Sequence, residues 1–152
     1  MVLFVVSSAA GLSYAYPDTP RNNQIIQLAD YIAANRQPGD AMVVADWQSF
    51  DMTVLAHPDQ RHLYILPGPD GDTSDWEQRI EVMRWHSPQN VQSVAEFAPE
   101  YRRVWFVLTD YTYHRGYHQE VNQGWLETHG RLVEQFDFER AQVYLYEVDP
   151  QE

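Results

Sequence analysis

Polar and apolar positions alternate along the chain in blocks that predict helices separated by short strands. Apolar residues recur at helical spacing in "PRNNQIIQLADYIAANRQ", and Thr19 followed by Pro20 is typical of a helix start. The turn sequence "PGD" then ends this helix. The next run, "AMVVAD", is short and apolar, so it predicts a buried strand that ends at Asp46.

The middle of the chain continues the alternation. "SFDMTVLAH" predicts a short helix, and "RHLYIL" predicts a second strand that ends before the turn sequence "PGPDGD". "SDWEQRIEVMRWH" predicts a helix, because Ser74 and Glu77 have the spacing of a capping box. "SPQNVQSVAEFA" predicts a further helix with a proline near its first turn.

The C-terminal part of the chain predicts one more strand, one helix and a hairpin. "RRVWFVLTD" is the third predicted strand and ends at Asp110, and "QEVNQGWLETHG" predicts a helix closed by Gly130. "RLVEQFDF" and "AQVYLYEV" predict two strands joined by a tight turn at Glu139 and Arg140.

Strands separated by helices indicate parallel pairing through right-handed crossovers. We therefore expect residues 17–152 to form a single α/β domain, a three-layer sandwich with a mainly parallel five-stranded sheet. Numbering the strands along the chain, the expected order in the sheet is 2-1-3-5-4, with the C-terminal hairpin antiparallel at one edge.

Residues 1–16 differ from the rest because the first twelve are mostly apolar. Three interpretations are open: a buried strand at residues 2–6, a signal peptide with "SYA" before its cleavage site, or the end of a transmembrane helix. Twelve residues are too few to cross a bilayer, and the cationic start of a signal peptide is absent. The small residues at 7–11 and the tyrosines that follow favour the end of a transmembrane helix whose chain leaves the membrane on the outer side.

Charge and composition narrow the function classes. The net charge is −12, all ten cationic residues are arginines, and there is no cysteine. A strongly acidic surface repels phosphate backbones, so nucleic-acid binding is not expected. The lack of cysteine excludes disulfides, a thiol nucleophile and thiolate metal ligands.

The order of these segments resembles a known family. The helix that runs into "LADYIAANRQPGDAMVVAD", then "RRVWFVLTD" and the closing "AQVYLYEV", is similar to the soluble C-terminal domain of multi-spanning glycosyltransferases. These enzymes use polyprenyl-phosphate sugars and include protein mannosyltransferases and aminoarabinose transferases. The resemblance implies a domain outside the cytoplasmic membrane that adjoins the membrane region of its own parent protein. The family's catalytic acidic residues lie in a loop between membrane helices, so the resemblance implies no catalytic residue in this chain.

Two residue pairs are the candidate ligand-binding site. Asp46 with Trp47, and Asp110 with Tyr111, follow the first and third predicted strands. Open α/β sheets bind ligands at the carboxyl ends of strands on either side of a switch point. A carboxylate beside an aromatic ring suits a sugar, because the ring stacks on C–H groups and the carboxylate accepts hydroxyl hydrogen bonds. The alternative is that each Asp caps the next element and each ring packs locally.

Metal sites are weaker interpretations, and no cofactor is expected. Asp70, Asp72, Ser74 and Glu81 have the spacing of calcium-loop ligands, but Asp75 stands where that loop needs glycine, so an acidic turn is the better reading. His114 and His118 would share a zinc ion with Asp110 if "DYTYHRGYH" were helical. The better interpretation of this segment is a mobile loop over the switch point that contacts substrate or lipid headgroups through tyrosine. The remaining histidines, His57, His62, His86 and His129, are expected at the surface.

Two function classes remain. The first is a non-catalytic accessory domain of a membrane glycosyltransferase that contacts the sugar donor or acceptor, a lipid-linked sugar or glycan. The second is a stand-alone exported α/β binding protein or small hydrolase.

Overall fold

The computed structural model of this chain describes residues 20–57, 61–65, 90–91, 93–112 and 115–149. In chain order these residues form α1 (Pro20–Asn35), β1 (Ala41–Val44), α2 (Trp47–Ala56), β2 (His62–Ile65), β3 (Asn90–Val91), α3 (Val94–Phe97) with a 3₁₀ turn at Ala98–Glu100, β4 (Arg103–Thr109), α4 (Arg115–Tyr117), a π-helical segment (His118–Gln123), α5 (Gly124–His129), β5 (Gly130–Phe138) and β6 (Ala141–Val148). The predicted segment 1–16, the predicted helix 74–86 and the calcium-loop residues lie outside the described residues.

The strands form one mixed sheet in the order β3-β2-β1-β4-β6-β5. The expected order of the five predicted strands is confirmed, and the short β3 adds a sixth at the β2 edge. β1 is parallel to both β2 and β4, whereas β6 is antiparallel to both β4 and β5. The expectation of a mainly parallel sheet is therefore wrong. The hairpin joins the sheet through β6 along the whole of β4, while β1 and β2 are only four residues long.

Alternate residues of the strands face two separate apolar clusters. On one face, residues of β1, β4 and β6 contact Val94 and Phe97 of α3 and Leu126 of α5. On the other face, the intervening strand residues contact Leu28 and Ile32 of α1 and Phe50 of α2. β1, β2 and most of β4 are buried along their length, as expected for strands that are covered on both faces.

Two predicted segments adopt another structure. Residues 87–98 were expected to be one helix, but Asn90–Val91 pairs with β2 as a strand, and the helix begins only at Val94. Residues 111–118 were expected to be a loop, but the chain is helical from Arg115 onwards. Within the described parts of the chain, no helix is long and apolar enough to cross a membrane.

Gly130 marks the junction of α5 and β5 for a steric reason. α5 ends at Gly130 as predicted, but the φ of this glycine is −135°, an extended conformation that any residue adopts and not a left-handed one. A Cβ at this position would lie 2.8 Å from the carbonyl oxygen of Glu147 and 3.0 Å from that of Leu126. Glycine is needed here because two backbone segments approach closely.

Candidate functional site

The topological switch point lies between β1 and β4. From β1 the chain proceeds outward through β2 and β3, and it then returns to place β4 on the other side of β1. The N–H of Ala45 donates to the carbonyl oxygen of Val107 at 3.4 Å, which holds the two strands together close to their carboxyl ends. Asp46 and Asp110 each follow one of these strands, so the fold brings the two predicted site segments to the same edge of the sheet.

Asp46 acts as the N-cap of α2. Its Oδ2 accepts hydrogen bonds from the backbone N–H of Ser49 at 3.1 Å and from the Ser49 hydroxyl at 2.7 Å. Both residues are buried. One carboxylate oxygen is thus committed to the start of the helix, as the capping alternative requires. Trp47 is the first residue of α2, and its stacking role stays a prediction.

Asp110 lies between two arginines. Arg115 Nη1 is 3.0 Å from its Oδ1, and Arg140 Nε is 3.7 Å from its Oδ2. All three side chains remain partly exposed, so the ion pairs are hydrated and contribute little to stability. The guanidinium of Arg140 also lies 4.4 Å from the centroid of the Tyr111 ring, a cation–π contact. Arg140 therefore contacts both members of the predicted Asp110–Tyr111 pair.

The turn that presents Asp110 and Tyr111 is fixed by two threonines. The N–H of Thr109 donates to Thr112 Oγ1 at 3.1 Å, and the N–H of Thr112 donates to the Thr109 carbonyl at 3.1 Å. The N–H of Asp110 donates to the Arg140 carbonyl at 2.9 Å, which joins this turn to the β5–β6 hairpin. Both threonines are buried, so Asp110 and Tyr111 lie on a turn that is anchored at the end of β4. Asp110 is exposed, whereas Tyr111 is partly buried and its hydroxyl is buried.

A polar network extends from this turn across the hairpin. Arg115 Nη2 donates to Gln142 Oε1, and Gln142 Nε2 donates to Asp137 Oδ1 at 3.1 Å. With Arg140, the network contains two guanidinium groups and two carboxylates. Its charges balance, and it offers a ligand both hydrogen-bond donors and acceptors on a hydrated surface. Such a surface can bind a neutral polyol or sugar without burying an unpaired charge.

His118 is buried inside the helical segment and not in a loop. It is 1% exposed, and Asn122 Nδ2 donates to its Nδ1 at 3.1 Å. Asn122 Oδ1 in turn accepts the N–H of Val94, the first residue of α3, at 2.9 Å. Sequence reasoning missed this pair, although His118 and Asn122 are four residues apart and so share a helix face. His114, the other predicted zinc ligand, lies outside the described residues.

A second buried polar cluster lies at the opposite end of the parallel strands. Asp40 Oδ2 accepts the indole N–H of Trp105 at 2.9 Å and the N–H of Gln37 at 2.9 Å, and Arg103 Nη1 lies 3.5 Å away. These bonds fix the turn before β1 to β4. The sequence signal for this cluster is the aspartate of "PGD", which by itself indicates only a turn.

His62 is buried at the start of β2, contrary to its expected surface position. Its Nε2 lies 2.8 Å from the carbonyl oxygen of His57, which makes Nε2 the protonated nitrogen and donor. Its buried Nδ1 has no hydrogen-bond partner within the part of the chain that the structure describes. Burial lowers the pKa of His62, and the nearby positive charge of Arg36 acts in the same direction. The other two described histidines, His57 and His129, are partly or fully exposed, as expected.

Among the described residues, no group of three or more His, Cys, Asp or Glu side chains could hold a metal ion. The calcium-loop interpretation concerns residues outside this description. No protein-family model matches the chain, and comparisons with curated proteins and with solved structures likewise found no match.

Proposed function

We propose that this chain is a non-catalytic accessory domain of a membrane glycosyltransferase and contacts a sugar donor or acceptor through the edge that bears Asp110 and Tyr111. The observation that carries the proposal is the set of contacts that hold the carboxylates of Asp46 and Asp110 in place. Asp46 caps α2, and Asp110 lies between two arginines. Carboxylates held in place by such contacts are fixed hydrogen-bond acceptors that can position a ligand.

The proposed setting follows from the family resemblance. The domain lies on the extracytoplasmic side, adjoins the membrane region of its parent protein and receives a lipid-linked sugar or a glycan at its switch-point edge. We infer a three-layer sandwich for the domain. The helices that contribute to the two apolar clusters support this inference, because α1 and α2 contribute to one cluster while α3 and α5 contribute to the other.

The ligand chemistry follows from Asp110, Tyr111 and Arg140. The carboxylate accepts sugar hydroxyls, the guanidinium groups donate to ring or hydroxyl oxygens, and the tyrosine ring supplies an apolar surface. Because the arginines already contact Asp110, a ligand replaces hydrated ion pairs and gains little. We expect dissociation constants of roughly 1 mM, which correspond to about 4 kcal/mol.

Amide chemical shifts during titration with neutral mono- and oligosaccharides test the proposal. Shifts are expected at residues 109–112 and 139–142. The variants Tyr111→Ala and Arg140→Ala should abolish them. Arg102→Ala is the matched control, because Arg102 is an exposed arginine just before the other end of β4. Saturating shifts elsewhere on the domain, or unchanged binding in both site variants, would refute this site.

A further inference from the structure

The first half of β5 is exposed in a way that the other long strands are not. β5 is nine residues long, and among the described strands it pairs only with β6. Residues 131–135 are all exposed, including Leu132 at 46% and Val133 at 42%. An exposed edge strand presents backbone N–H and C=O groups that can pair with another strand.

The second half of β5 is covered by α1. Phe136 and Phe138 are partly buried, and their ring centroids lie 4.4 Å and 6.1 Å from that of Tyr31. The continuous exposed stretch of β5 is therefore residues 131–135. We call its first four residues, "RLVE" at 131–134, the RLVE segment. Its two adjacent aliphatic side chains are exposed and are flanked by opposite charges. Arg131 also donates to Glu147 of β6, and its side chain remains 70% exposed, so it is accessible to a second carboxylate.

The RLVE segment is complementary to itself in one antiparallel register. Arg131 pairs with Glu147 and Glu134 with Leu145 on β6, so the register shift leaves the two charged side chains on the same face of β5. In a two-fold antiparallel pair, Arg131 then faces Glu134 of a second copy, and Leu132 faces Val133 of that copy. The two-fold symmetry repeats both pairs, so the interface contains two aliphatic pairs and two ion pairs. Directly opposed residues of opposite charge, or of matching apolar character, stabilise antiparallel strands.

Neighbouring registers lack this match. Centring the two-fold axis on Val133 places Leu132 opposite Glu134, and centring it on Glu134 brings two carboxylates together. A parallel pairing in register places like charges side by side. We propose that the chain forms a symmetric homodimer through antiparallel pairing of the RLVE segments in the register that pairs Arg131 with Glu134.

Two features keep this dimer weak. A β-bulge at Val133 shifts the register between Leu132 and Glu134 relative to β6, and the added twist limits the length of any new ladder. The net charge of −12 on each copy repels a second copy. Because salt at about 0.15 M shortens the screening length to about 8 Å, it removes much of this long-range repulsion. We expect a dissociation constant for the dimer between about 1 μM and about 1 mM, and closer to about 1 mM.

Charge reversal gives a test that does not depend on the ligand. In sedimentation equilibrium at about 0.15 M salt, Arg131→Glu and Glu134→Arg should each weaken self-association by at least about tenfold. In a homodimer of either variant, residues 131 and 134 of the two copies carry the same charge and repel each other at both contacts. An equimolar mixture restores both ion pairs in a heterodimer, so the mixture should associate more tightly than either variant alone.

Matched controls separate this interface from global charge. The mixture of the two variants separates it from the ion pair of Arg131 with Glu147 on its own chain, because Arg131→Glu breaks that ion pair both alone and in the mixture. Arg131→Glu and the exposed-site control Arg102→Glu both change the net charge from −12 to −14. Glu134→Arg and Glu120→Arg both change it from −12 to −10. The controls should keep the wild-type association constant, and circular dichroism should show that all four variants are folded. A monomeric wild-type chain at about 1 mM, or a mixture no more associated than its components, would overturn the proposal.

Discussion

Asp46 joins the first strand of the sheet to the helix that follows it. Replacing Asp46 with alanine removes both hydrogen bonds that its carboxylate accepts from Ser49. We expect a loss of about 1 kcal/mol in the free energy of unfolding, measured by urea denaturation. Asp46→Asn should retain most of the stability, because asparagine caps helices about as well. Equal stability of the alanine variant and the wild type would show that this cap is dispensable.

His62 should make the stability of the domain depend on pH in the acidic range. Its folded-state pKa is lowered from 6.5, so below about pH 6.5 the unfolded chain binds a proton that the folded chain does not. The free energy of unfolding is therefore highest above this pH and falls as the pH falls toward the folded-state pKa. His62→Gln should flatten this dependence when unfolding is compared at about pH 8 and about pH 5. An identical slope in the variant would contradict the assignment.

At the residue scale, the sequence predicted local interactions and missed distant ones. The cap of Asp46 was one of two interpretations of "DWQS", because its partner is three residues away. The arginines around Asp110 could not be assigned from the sequence, because Arg140 reaches it through the pairing of β4 with β6. His62 was misplaced because burial on both faces of a strand leaves no alternation in the sequence.

At the scale of elements, α3 is capped by a side chain from another helix. Ser93 occupies the N-cap position of α3 but makes no side-chain capping bond, whereas Asn122 accepts the N–H of Val94. Asn122→Ala leaves this buried N–H without its acceptor, so we expect a loss of about 1–3 kcal/mol. Ser93→Ala should change stability by much less. Amide exchange at Val94 should accelerate only in the Asn122 variant, and equal effects of the two substitutions would contradict this cap.

The two glycines of the last helical region should respond in opposite directions to alanine. Gly130→Ala places a Cβ 2.8 Å from the Glu147 carbonyl oxygen, so overpacking should cost about 1–3 kcal/mol. Gly124 is helical, and its Cβ would meet only the Gln119 carbonyl oxygen at an ordinary 3.8 Å. Gly124→Ala should therefore stabilise the helix by up to about 1 kcal/mol. Thermal unfolding of the two variants tests the contrast, and destabilisation of both would show that the Gly124 position is also crowded.

Two elements were predicted wrongly from the sequence because contacts with distant residues determine their structure. "NV" at Asn90–Val91 is too short to show strand periodicity and is recognised only through its pairing with β2. The segment from Arg115 onwards contains Gly116 and tyrosines, which favour a loop locally. The burial of His118 and Asn122 under α3 compensates for this preference, and the π-helical turns accommodate both side chains on one face.

At the scale of the whole molecule, connection rules predicted the order of the strands but not the relative extent of parallel and antiparallel pairing. Helical crossovers between β1, β2 and β4 require parallel pairing, and the tight turn at Glu139 requires an antiparallel hairpin. The connection rules do not predict the lengths of the strands, which decide how many residues each pairing contains. β4 and β6 pair over seven residues, from Arg103 opposite Glu147 to Thr109 opposite Ala141, so antiparallel ladders dominate.

The whole chain should not transfer a sugar by itself. Transfer from a polyprenyl-phosphate sugar is accelerated by a positioned group that accepts the proton of the attacking hydroxyl. The carboxylate of Asp46 is engaged in capping α2, and that of Asp110 lies between Arg115 and Arg140. We expect no glycosylated product when the purified chain is incubated with donor and acceptor and analysed by mass spectrometry. Product that disappears in both Asp46→Asn and Asp110→Asn would contradict the accessory role, because asparagine keeps the shape of each side chain while removing its carboxylate.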